Sequence, residues 1–373
     1  MEIKIKTNIK QNYPLALLFC LISLWILGYN FNQQSWVLIG ILVVVFIVVA
    51  FFLFHYSIAI LIVSLLVLFS IYYFVYYKFQ IKGIVIKDLL DKIPQEYDLR
   101  KIIIDYLNTN TNKQSRGFLL LTLFNVKNND NKLIYQQILN LSIAHLLVIS
   151  GLHLSLINLV ILKIFKKHKI IGNFASFSIL FFYSFLLSFS YGVLRVLIGI
   201  LLNLILEKFI KKGDVKLLSL SISGMLLLLL NPYSFKNYSY ILSYLSVIVI
   251  SMVFKINKLN NFMKTLIASV LINFIVGGLI VNAFGKINIL TIFWSIILSP
   301  IIIGIYFINL FLFPFSIAWS FLGLIHKGFF IVIDKLQINL LIIKLTNLVN
   351  WIPFYYLIIY YLFISSMWIK RLI

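Results

Sequence analysis

The sequence predicts an all-α fold, a polytopic transmembrane helical bundle of about twelve spans with interfacial amphipathic helices. Of its 373 residues, 62% are hydrophobic and only 11% are charged, which a water-soluble core with a polar shell cannot accommodate. Apolar stretches of about 20 residues, the length that crosses the hydrocarbon layer, recur from Pro14 to the carboxyl end. Most of the chain is therefore expected to lie in lipid.

The first region, residues 1–77, contains three of these stretches: Pro14–Tyr29, Trp36–Phe54 and Ser57–Tyr77. Lysines precede the first stretch as they do in a secretory signal, but no small-x-small cleavage site follows it, so we expect an uncleaved span. The single cysteine, Cys20, lies inside that span. An intramolecular disulfide and a cysteine metal cluster are therefore not expected.

The second region, residues 78–140, is polar. Within it, Pro94–Leu107 places its apolar side chains on one helical face and is predicted to form an amphipathic helix. Phe118–Val126 is too short to span the membrane, so we expect it to be interfacial or re-entrant. This region should therefore consist of amphipathic helices rather than spans.

The third region, residues 141–314, and the fourth, residues 315–373, supply the remaining spans. Leu336–Asn350 has the apolar and polar faces of a helix that lies along the interface. The predicted spans are Leu141–Leu162, Ile170–Ser190, Val193–Ile210, Val215–Leu230, Tyr240–Phe254, Thr265–Phe284, Ile289–Phe313, Phe315–Ile333 and Phe354–Trp368.

The charges of the short loops predict the orientation. Lysines precede the first span and no charge follows it, so the amino terminus should be cytoplasmic. Alternating from there places the carboxyl terminus inside as well, in a bacterial plasma membrane. The loops placed inside include Lys163–Lys169, Lys208–Lys216 and Lys255–Lys264. Those placed outside are Lys78–Asn140, Tyr191–Gly192, Asn231–Ser239 and Gly285–Asn288.

The chain is strongly basic, with 32 Lys and Arg against 10 Asp and Glu and a formal net charge of +22. A surplus of this size is typical of proteins with a phosphate-bearing partner. Positive-inside loops and the lysine-rich composition that AT-rich coding imposes produce the same surplus. Charge alone therefore leaves both interpretations open.

Three polar side chains, His145, Ser150 and His153, stand together inside an apolar segment, where polarity is costly and usually functional. At 100° per residue Ser150 and His153 share a helix face, whereas the histidines are separated by about 12 Å of rise and cannot hold one metal. Gly151 weakens the helix beside Ser150. The string indicates the wall of a polar cavity. The alternative is a serine bonded to its own helix, with the glycine and histidines serving helix packing.

The string Ala144-His-Leu-Leu-Val-Ile-Ser-Gly-Leu-His153 resembles the signature of the ComEC competence family, which is close to HLLAISGLH. Leu119–Asn125 departs from the family, because the glycine that usually ends the leucine-rich segment is missing. Ile241 likewise replaces a position that is commonly polar. Further matches follow in the family's order from Gly117 to Pro314: Tyr191-Gly-Val-Leu-Arg195, Leu226–Pro232, Leu242-Ser243-Tyr244-Leu245, Phe284–Ile287 and Pro300.

The resemblance implies a channel for inward passage of single-stranded DNA during natural transformation. It implies partners too: single-stranded DNA, membrane lipid, and DNA-receptor and ATP-driven motor proteins acting in trans, with a homo-oligomer left open. We expect a short form without the family's oligonucleotide-binding barrel and metallo-β-lactamase-like domain. The residues expected along the DNA path are His145, Ser150, Gly151, His153, Arg195 and Ser243.

Arg195 lies within a predicted span and could hold a phosphate bidentately, or snorkel from the helix end. No cofactor, metal or enzymatic activity is expected. The sequence contains no Walker A motif, and no acid accompanies Ser150 and His153 for intramembrane hydrolysis. A small-solute or ion transporter, and a non-transporting structural remnant of the family, remain open as alternatives.

Overall fold

A computed structural model describes residues 2–143, 151–210, 215–254, 256, 259–288, 290–337 and 342–344. It divides into two compact units. Unit 1 comprises Met1–Val85, Leu197–Ser251 and Asn350–Ile373, and unit 2 comprises Ile86–Val196 and Met252–Val349. The predicted span Phe354–Trp368 lies outside the described residues.

Almost the whole described chain is helical. Helices α1 to α7 are Glu2–Asn32, Trp36–Leu53, Tyr56–Lys78, Ile86–Leu90, Leu99–Asn110, Lys113–Phe124 and Lys132–Asn140. Helices α8 to α15 are Gly151–Ile164, Lys169–Leu186, Tyr191–Phe209, Val215–Leu230, Tyr238–Phe254, Asn261–Phe284, Thr291–Leu312 and Trp319–Lys335. Short 3₁₀ turns are Gln95–Tyr97, Pro232–Lys236 and Ser316–Ala318, and two strands are β1 (Lys286–Asn288) and β2 (Ile342–Lys344).

Among the described residues, five helices are long and apolar enough to cross a membrane. They are Tyr13–Asn32, Trp36–Leu53, Tyr56–Lys78, Thr291–Leu312 and Ser316–Lys335. Shorter apolar helices occupy most of the other predicted spans. The chain is therefore a helical membrane protein, and the count of twelve spans stays a prediction.

Unit 1 is built around α1, which packs against α2, α3 and α11. The side chain of Trp25 is fully buried, and its indole N–H donates to the Tyr240 hydroxyl at 3.0 Å. That hydroxyl in turn donates to the Gly224 carbonyl at 3.0 Å. By contrast α2 leaves valine, isoleucine and phenylalanine side chains exposed, as expected of a helix whose outer face meets lipid. The central helix is thus covered by protein, whereas α2 leaves apolar side chains exposed.

Unit 2 is organised around α6, a short helix whose residues from Gly117 to Phe124 are all buried. Helices α7, α14 and α15 pack with it in one apolar cluster that includes Phe118, Ile138, Ile302 and Phe329. Neighbouring helices therefore cover Phe118–Phe124, and an interfacial or re-entrant position for Phe118–Val126 stays a prediction.

The amphipathic helix predicted at Pro94–Leu107 begins later, at Leu99, and ends at Asn110. The cause is Asp98, whose carboxylate accepts a hydrogen bond from the Arg100 backbone N–H and caps the first turn. Because the capping residue has extended backbone angles, the helix cannot continue back through it. The helix type was therefore predicted correctly, and its start was not.

Two other predicted helices are interrupted. The span predicted from Leu141 is not helical at its start, because α7 ends at Asn140 and Ser142 has a positive φ of 58°. Within Leu336–Asn350, residues Ile342–Lys344 form β2 rather than an interfacial helix. This strand pairs antiparallel with β1, with Ile287 opposite Ile343. Periodicity alone could not reveal a partner strand distant in sequence.

Hydrogen bonds between loops indicate which loops share a side. The Tyr77 hydroxyl donates to the Pro232 carbonyl at 3.1 Å. Tyr77 directly precedes the loop Lys78–Asn140 and Pro232 lies in the loop Asn231–Ser239, and the charge count places both loops outside. The Asn288 backbone N–H donates to the Ser142 hydroxyl at 3.0 Å, again joining segments that the count places together. These contacts agree with the predicted alternation.

Helix α5, however, contacts two segments that the same count places on opposite sides. Near its start Arg100 donates to the Ser188 hydroxyl, just before the turn counted as external. Farther along, the Tyr106 ring lies 5.7 Å from that of Trp319, which follows the loop between α14 and α15 that alternation places inside. The helix rises only about 9 Å from Arg100 to Tyr106, against an apolar layer about 30 Å thick. The two segments thus meet one short helix, and the sides that the charge count assigns to them stay a prediction.

Candidate functional site

The candidate DNA-path residues are distributed over both units. Gly151, His153 and Arg195 belong to unit 2, and Ser243 is half-buried on α12 in unit 1. His145 and Ser150 lie outside the described residues. The contacts of the predicted site can therefore be described around Gly151, His153 and Arg195.

Gly151 begins α8 at a close approach to the first turns of α10. A Cβ atom placed on Gly151 would collide with the Arg195 guanidinium and would lie 2.9 Å from Cγ2 of Val196. It would also lie 3.1 Å from the Gly192 carbonyl oxygen. Glycine is therefore required for packing at this point, and the Arg195 guanidinium lies against the backbone at the start of α8.

His153, two positions later, is only 1% exposed. Its ring lies 4.4 Å from the ring of Tyr306 on α14. The Tyr306 hydroxyl donates to the Tyr183 hydroxyl at 2.8 Å, and Tyr183 donates to the Leu123 carbonyl at 3.1 Å. Because a carbonyl can only accept, both hydroxyl protons must point toward α6. His153 thus stands beside a directed polar chain from α14 through α9 to the last turn of α6.

A second buried chain links α14 to α6 and to α15. The Asn309 side-chain amide, on α14, donates to the Thr122 hydroxyl at 3.3 Å, and that hydroxyl donates to the Phe118 carbonyl at 2.8 Å. On its other side the Asn309 oxygen lies 2.9 Å from Nε2 of His326. An amide oxygen cannot donate, so Nε2 of His326 carries the proton. Nδ1 of His326 is then an acceptor, and it has no hydrogen-bond partner within the described part of the chain.

Both chains end on carbonyls of α6, which makes this helix the centre of the polar network. Thr122, Tyr183, Tyr306, Asn309 and His326 were not predicted as site residues. Tyr306 and Asn309 lie three positions apart in an apolar stretch and share a helix face, and that spacing was the available signal. Their partners are too distant in sequence to be paired by periodicity.

Arg100 makes the main ionic cluster at the surface of unit 2. Its Nη2 lies 2.8 Å from Asp91 and 3.1 Å from Asp98, which is 1% exposed. Hydrogen bonding to the guanidinium holds the pKa of the Asp91 carboxyl below its ordinary value. Burial lowers the pKa of Arg100, but its bonds to Asp91 and Asp98 outweigh burial and raise it. Arg100 therefore stays charged and connects Asp91, the residue after α4, and Asp98, before α5, to Ser188.

The described residues include no group of three or more His, Cys, Asp or Glu side chains able to hold a metal ion. The buried histidines instead contact an aromatic ring and an amide. Their chemistry in this structure is hydrogen bonding and ring packing.

Two curated relatives share part of the chain. Uncharacterized protein MG316 of Mycoplasma genitalium is 27% identical over 226 residues, which cover 61% of this chain and 59% of that protein. The Uncharacterized protein MG316 homolog of Mycoplasma pneumoniae is 29% identical over 238 residues, 63% of this chain and 59% of that protein. The alignments thus span 59% of the length of each relative. No solved structure matches the chain significantly.

The family model described as "Competence protein" matches residues 123–371, about two thirds of the chain. The matched region contains the string Ala144–His153, Arg195 and Ser243, and it contains most of the two polar chains that meet at α6. The resemblance first seen in that string therefore extends over the greater part of the molecule. The chain belongs to the Competence protein family.

Proposed function

We propose that the chain forms a channel for inward passage of single-stranded DNA during natural transformation. The observation that carries the proposal is the family match over residues 123–371, since this family suggests a role in DNA uptake. The net charge of +22 supports it, because a polyanion is attracted to a basic protein at every stage of entry. The proposed location is the bacterial plasma membrane, with both termini in the cytoplasm.

The energetics of the strand define what such a path requires. Each nucleotide carries a negative charge, and an apolar layer about 30 Å thick cannot solvate several phosphates at once. The path must be wet and lined by hydroxyls, amides and broken-helix backbone. Contacts to phosphate and base faces rather than base edges would make passage independent of sequence.

His153 packs on Tyr306 with 1% exposure, so the proposed path would be closed at this residue in the described conformation. We infer that the path opens when α10 moves away from α8 at the contact between Gly151 and Arg195. Glycine allows the two helices to touch without interlocking side chains, so they can separate without disrupting a packed apolar layer. In the open state the Arg195 guanidinium would be available to a phosphate.

Driving force is assigned to partners. The sequence has no Walker A motif, so we propose that ATP-driven motor and DNA-receptor proteins act in trans and that the chain itself has no catalytic role. Lipid is the other expected partner, and a homo-oligomer is compatible with a bundle of this size. No cofactor enters the mechanism.

An ion or small-solute transporter is the second candidate, and the polar network at α6 favours it. His153, Tyr306, Asn309 and His326 are buried in helices that are otherwise apolar, where ionisable groups often mark a solute or proton route. Proteoliposomes that carry current or take up solute in the absence of DNA would support this candidate over the DNA channel. A structural remnant would show neither activity.

The test of the DNA channel is uptake of fluorescent DNA by cells with the wild-type gene, a deletion, and Gly151→Ala at matched expression. The deletion should abolish entry, and Gly151→Ala should reduce it strongly because the added methyl displaces Arg195. Gly199→Ala is the matched control, since a Cβ there has no atom within 4 Å and Gly199 lies on α10. Undiminished uptake in the deletion strain would reject the proposal.

A further inference from the structure

Unit 2 contains a pocket of about 220 Å³ between the α5–α6 turn and the start of α15. It is separate from the His153 and His326 chains. Polar side chains dominate its walls, together with one indole and two leucines. The lining residues are Thr111, Asn112, Ser115, Leu119, Ser316, Trp319, Ser320 and Leu322.

The indole of Trp319 is held in place on two sides. Its N–H donates to the Phe313 carbonyl at 2.9 Å. The ring of Tyr106 meets it edge-on, with centroids 5.7 Å apart and an angle of 65° between the planes. A fixed aromatic ring loses little conformational entropy when a ligand packs against it. Trp319 is therefore a preorganised wall of the pocket.

The polar groups around the indole can both donate and accept hydrogen bonds. Asn112, Ser316 and Ser320 are exposed, so their side chains are open to a ligand. The Thr111 hydroxyl donates to the Leu107 carbonyl at 2.6 Å, which leaves its oxygen as an acceptor. A ligand that offers both donors and acceptors fits this wall.

The walls carry neither a carboxylate nor a cationic side chain. The nearby Arg116 is engaged elsewhere, since its guanidinium lies 2.6 Å from Asp130 and donates to the Asn108 carbonyl at 2.8 Å. The pocket walls therefore lack a cationic group that would hold a phosphate strongly. Exposed Lys113 directly follows Asn112 in sequence, so a negatively charged backbone passing outside the pocket would not be repelled.

The volume restricts the size of the ligand. Pockets for drug-sized molecules begin at about 300 Å³, so 220 Å³ accommodates one ring-sized group rather than a whole nucleotide. A planar ring with mixed donors and acceptors, attached to an anionic backbone that stays outside, matches the walls, the volume and the charge. We propose that this pocket binds a single nucleobase of the transported strand by stacking on Trp319, an inference that rests on the proposed DNA function.

Base stacking on an aromatic side chain is tolerant of sequence, because every base has a π-face. The serine hydroxyls can rotate to suit donors or acceptors, so they add affinity without selecting one base. The pocket would thus hold the strand one base at a time and slow its slipping back, while phosphate attraction comes from lysines elsewhere.

The experiment uses the full chain in nanodiscs of neutral lipid and compares two labelled probes of equal length, an oligothymidylate and an abasic oligonucleotide. Wild-type protein should bind the oligothymidylate more tightly, because only this probe has bases. Trp319→Leu should remove that preference, with a loss of about 5- to 150-fold for the oligothymidylate and little change for the abasic probe. Trp319→Phe, which keeps an aromatic ring, should retain most of it.

Trp36→Leu is the matched control, since Trp36 is 48% exposed on α2 in unit 1 and lines no part of this pocket. Equal binding of the two probes by wild-type protein, or an equal loss for both in Trp319→Leu, would overturn the pocket proposal and leave the DNA channel standing. Competition by a neutral disaccharide but not by thymidine would also overturn it, by identifying a sugar site. Absence of binding to both probes would count against the DNA function itself.

Discussion

The two units bury polar groups in different ways. In unit 1 the hydrogen bonds from Trp25 to Tyr240 and from Tyr240 to the Gly224 carbonyl join the long helix α1 to α12 and α11. In unit 2 two tyrosines form one hydrogen-bonded chain, and a histidine, an asparagine and a threonine form another; both chains end on the short buried helix α6. Short helices at membrane depth are tolerated only where protein or a cavity surrounds them.

The difference indicates that the two units have different roles. A buried indole or phenol that donates its proton to a hydrogen-bond acceptor adds to helix packing at a modest free-energy cost of burial. Histidine and asparagine in an apolar layer are more costly, and membrane proteins usually retain such groups for function. Among the described residues, the two buried histidines, His153 and His326, both lie in unit 2. Arg195 lies there too, whereas Ser243 and further buried asparagines lie in unit 1.

The largest expected effect concerns which loops face outward in unit 2. In a Cys20→Ser background, single cysteines at Tyr97, Ile317 and Lys166 can be labelled from outside with a membrane-impermeant thiol reagent. The contacts of α5 predict that Ile317→Cys, at a position 95% exposed, labels together with Tyr97→Cys. The alternating count predicts that it behaves like Lys166→Cys. Labelling after permeabilisation serves as the control, and protection of Ile317→Cys with Lys166→Cys would contradict the α5 contacts.

Asn309→Leu should destabilise the protein by about 1–3 kcal/mol, because it strips partners from both His326 and Thr122 while they stay buried. The measurement is thermal unfolding in detergent. Asn203→Leu is the matched control, since the Asn203 side-chain oxygen is buried without a hydrogen-bond partner in the described part of the chain. That change should be neutral or stabilising. Equal effects of the two would mean that the α6 network contributes nothing.

Gly117→Ala should cost about 1–3 kcal/mol by overpacking, because a Cβ there would lie 2.8 Å from the backbone carbonyl carbon of Asp130. Backbone cannot move aside as a flexible side chain can. Gly323→Ala, where the nearest atom is the Ser115 hydroxyl oxygen at 3.5 Å, should leave the unfolding temperature within a degree or two. If Gly117→Ala unfolds at the wild-type temperature, α6 is not held as tightly as its contacts indicate.

The smallest expected effect is that of pH on the Arg100 cluster. Because the pKa of Asp91 is lowered in the folded state, its ion pair stabilises the protein above the ordinary value of 3.8. The stabilisation is lost as the pH falls through the lower, folded-state pKa. Asp91→Asn should flatten the acid side of the stability profile and cost less than about 1 kcal/mol at pH 7, since Asp91 is exposed. Asp88→Asn, at an exposed position of α4 outside the Arg100 cluster, is the matched control for the loss of one carboxylate.

Local sequence predicted the elements of unit 1 well. The span expected at Trp36–Phe54 is observed at Trp36–Leu53, and that expected at Ser57–Tyr77 is observed at Tyr56–Lys78. Hydropathy over about 20 residues decides these elements, because the lipid acts on each span independently of its neighbours. The same reasoning found the competence string, whose polar residues stand out against an apolar background.

In unit 2 the decisive contacts join residues far apart in the chain. Tyr306 donates to Tyr183, β2 pairs with β1, and the buried environment of α6 is made by α7, α14 and α15. No local pattern encodes which distant hydroxyl or strand will be the partner.

The sequence by itself thus determined that the protein lies in a membrane, that it is helical and which family it belongs to. Hydropathy, charge and a short motif can each be read from neighbouring residues. Tertiary structure decided that α6 is buried, that Gly151 packs on Arg195 and that Trp319 lines a pocket. A buried polar group is stable only when a partner reaches it, and the fold alone determines which partners can.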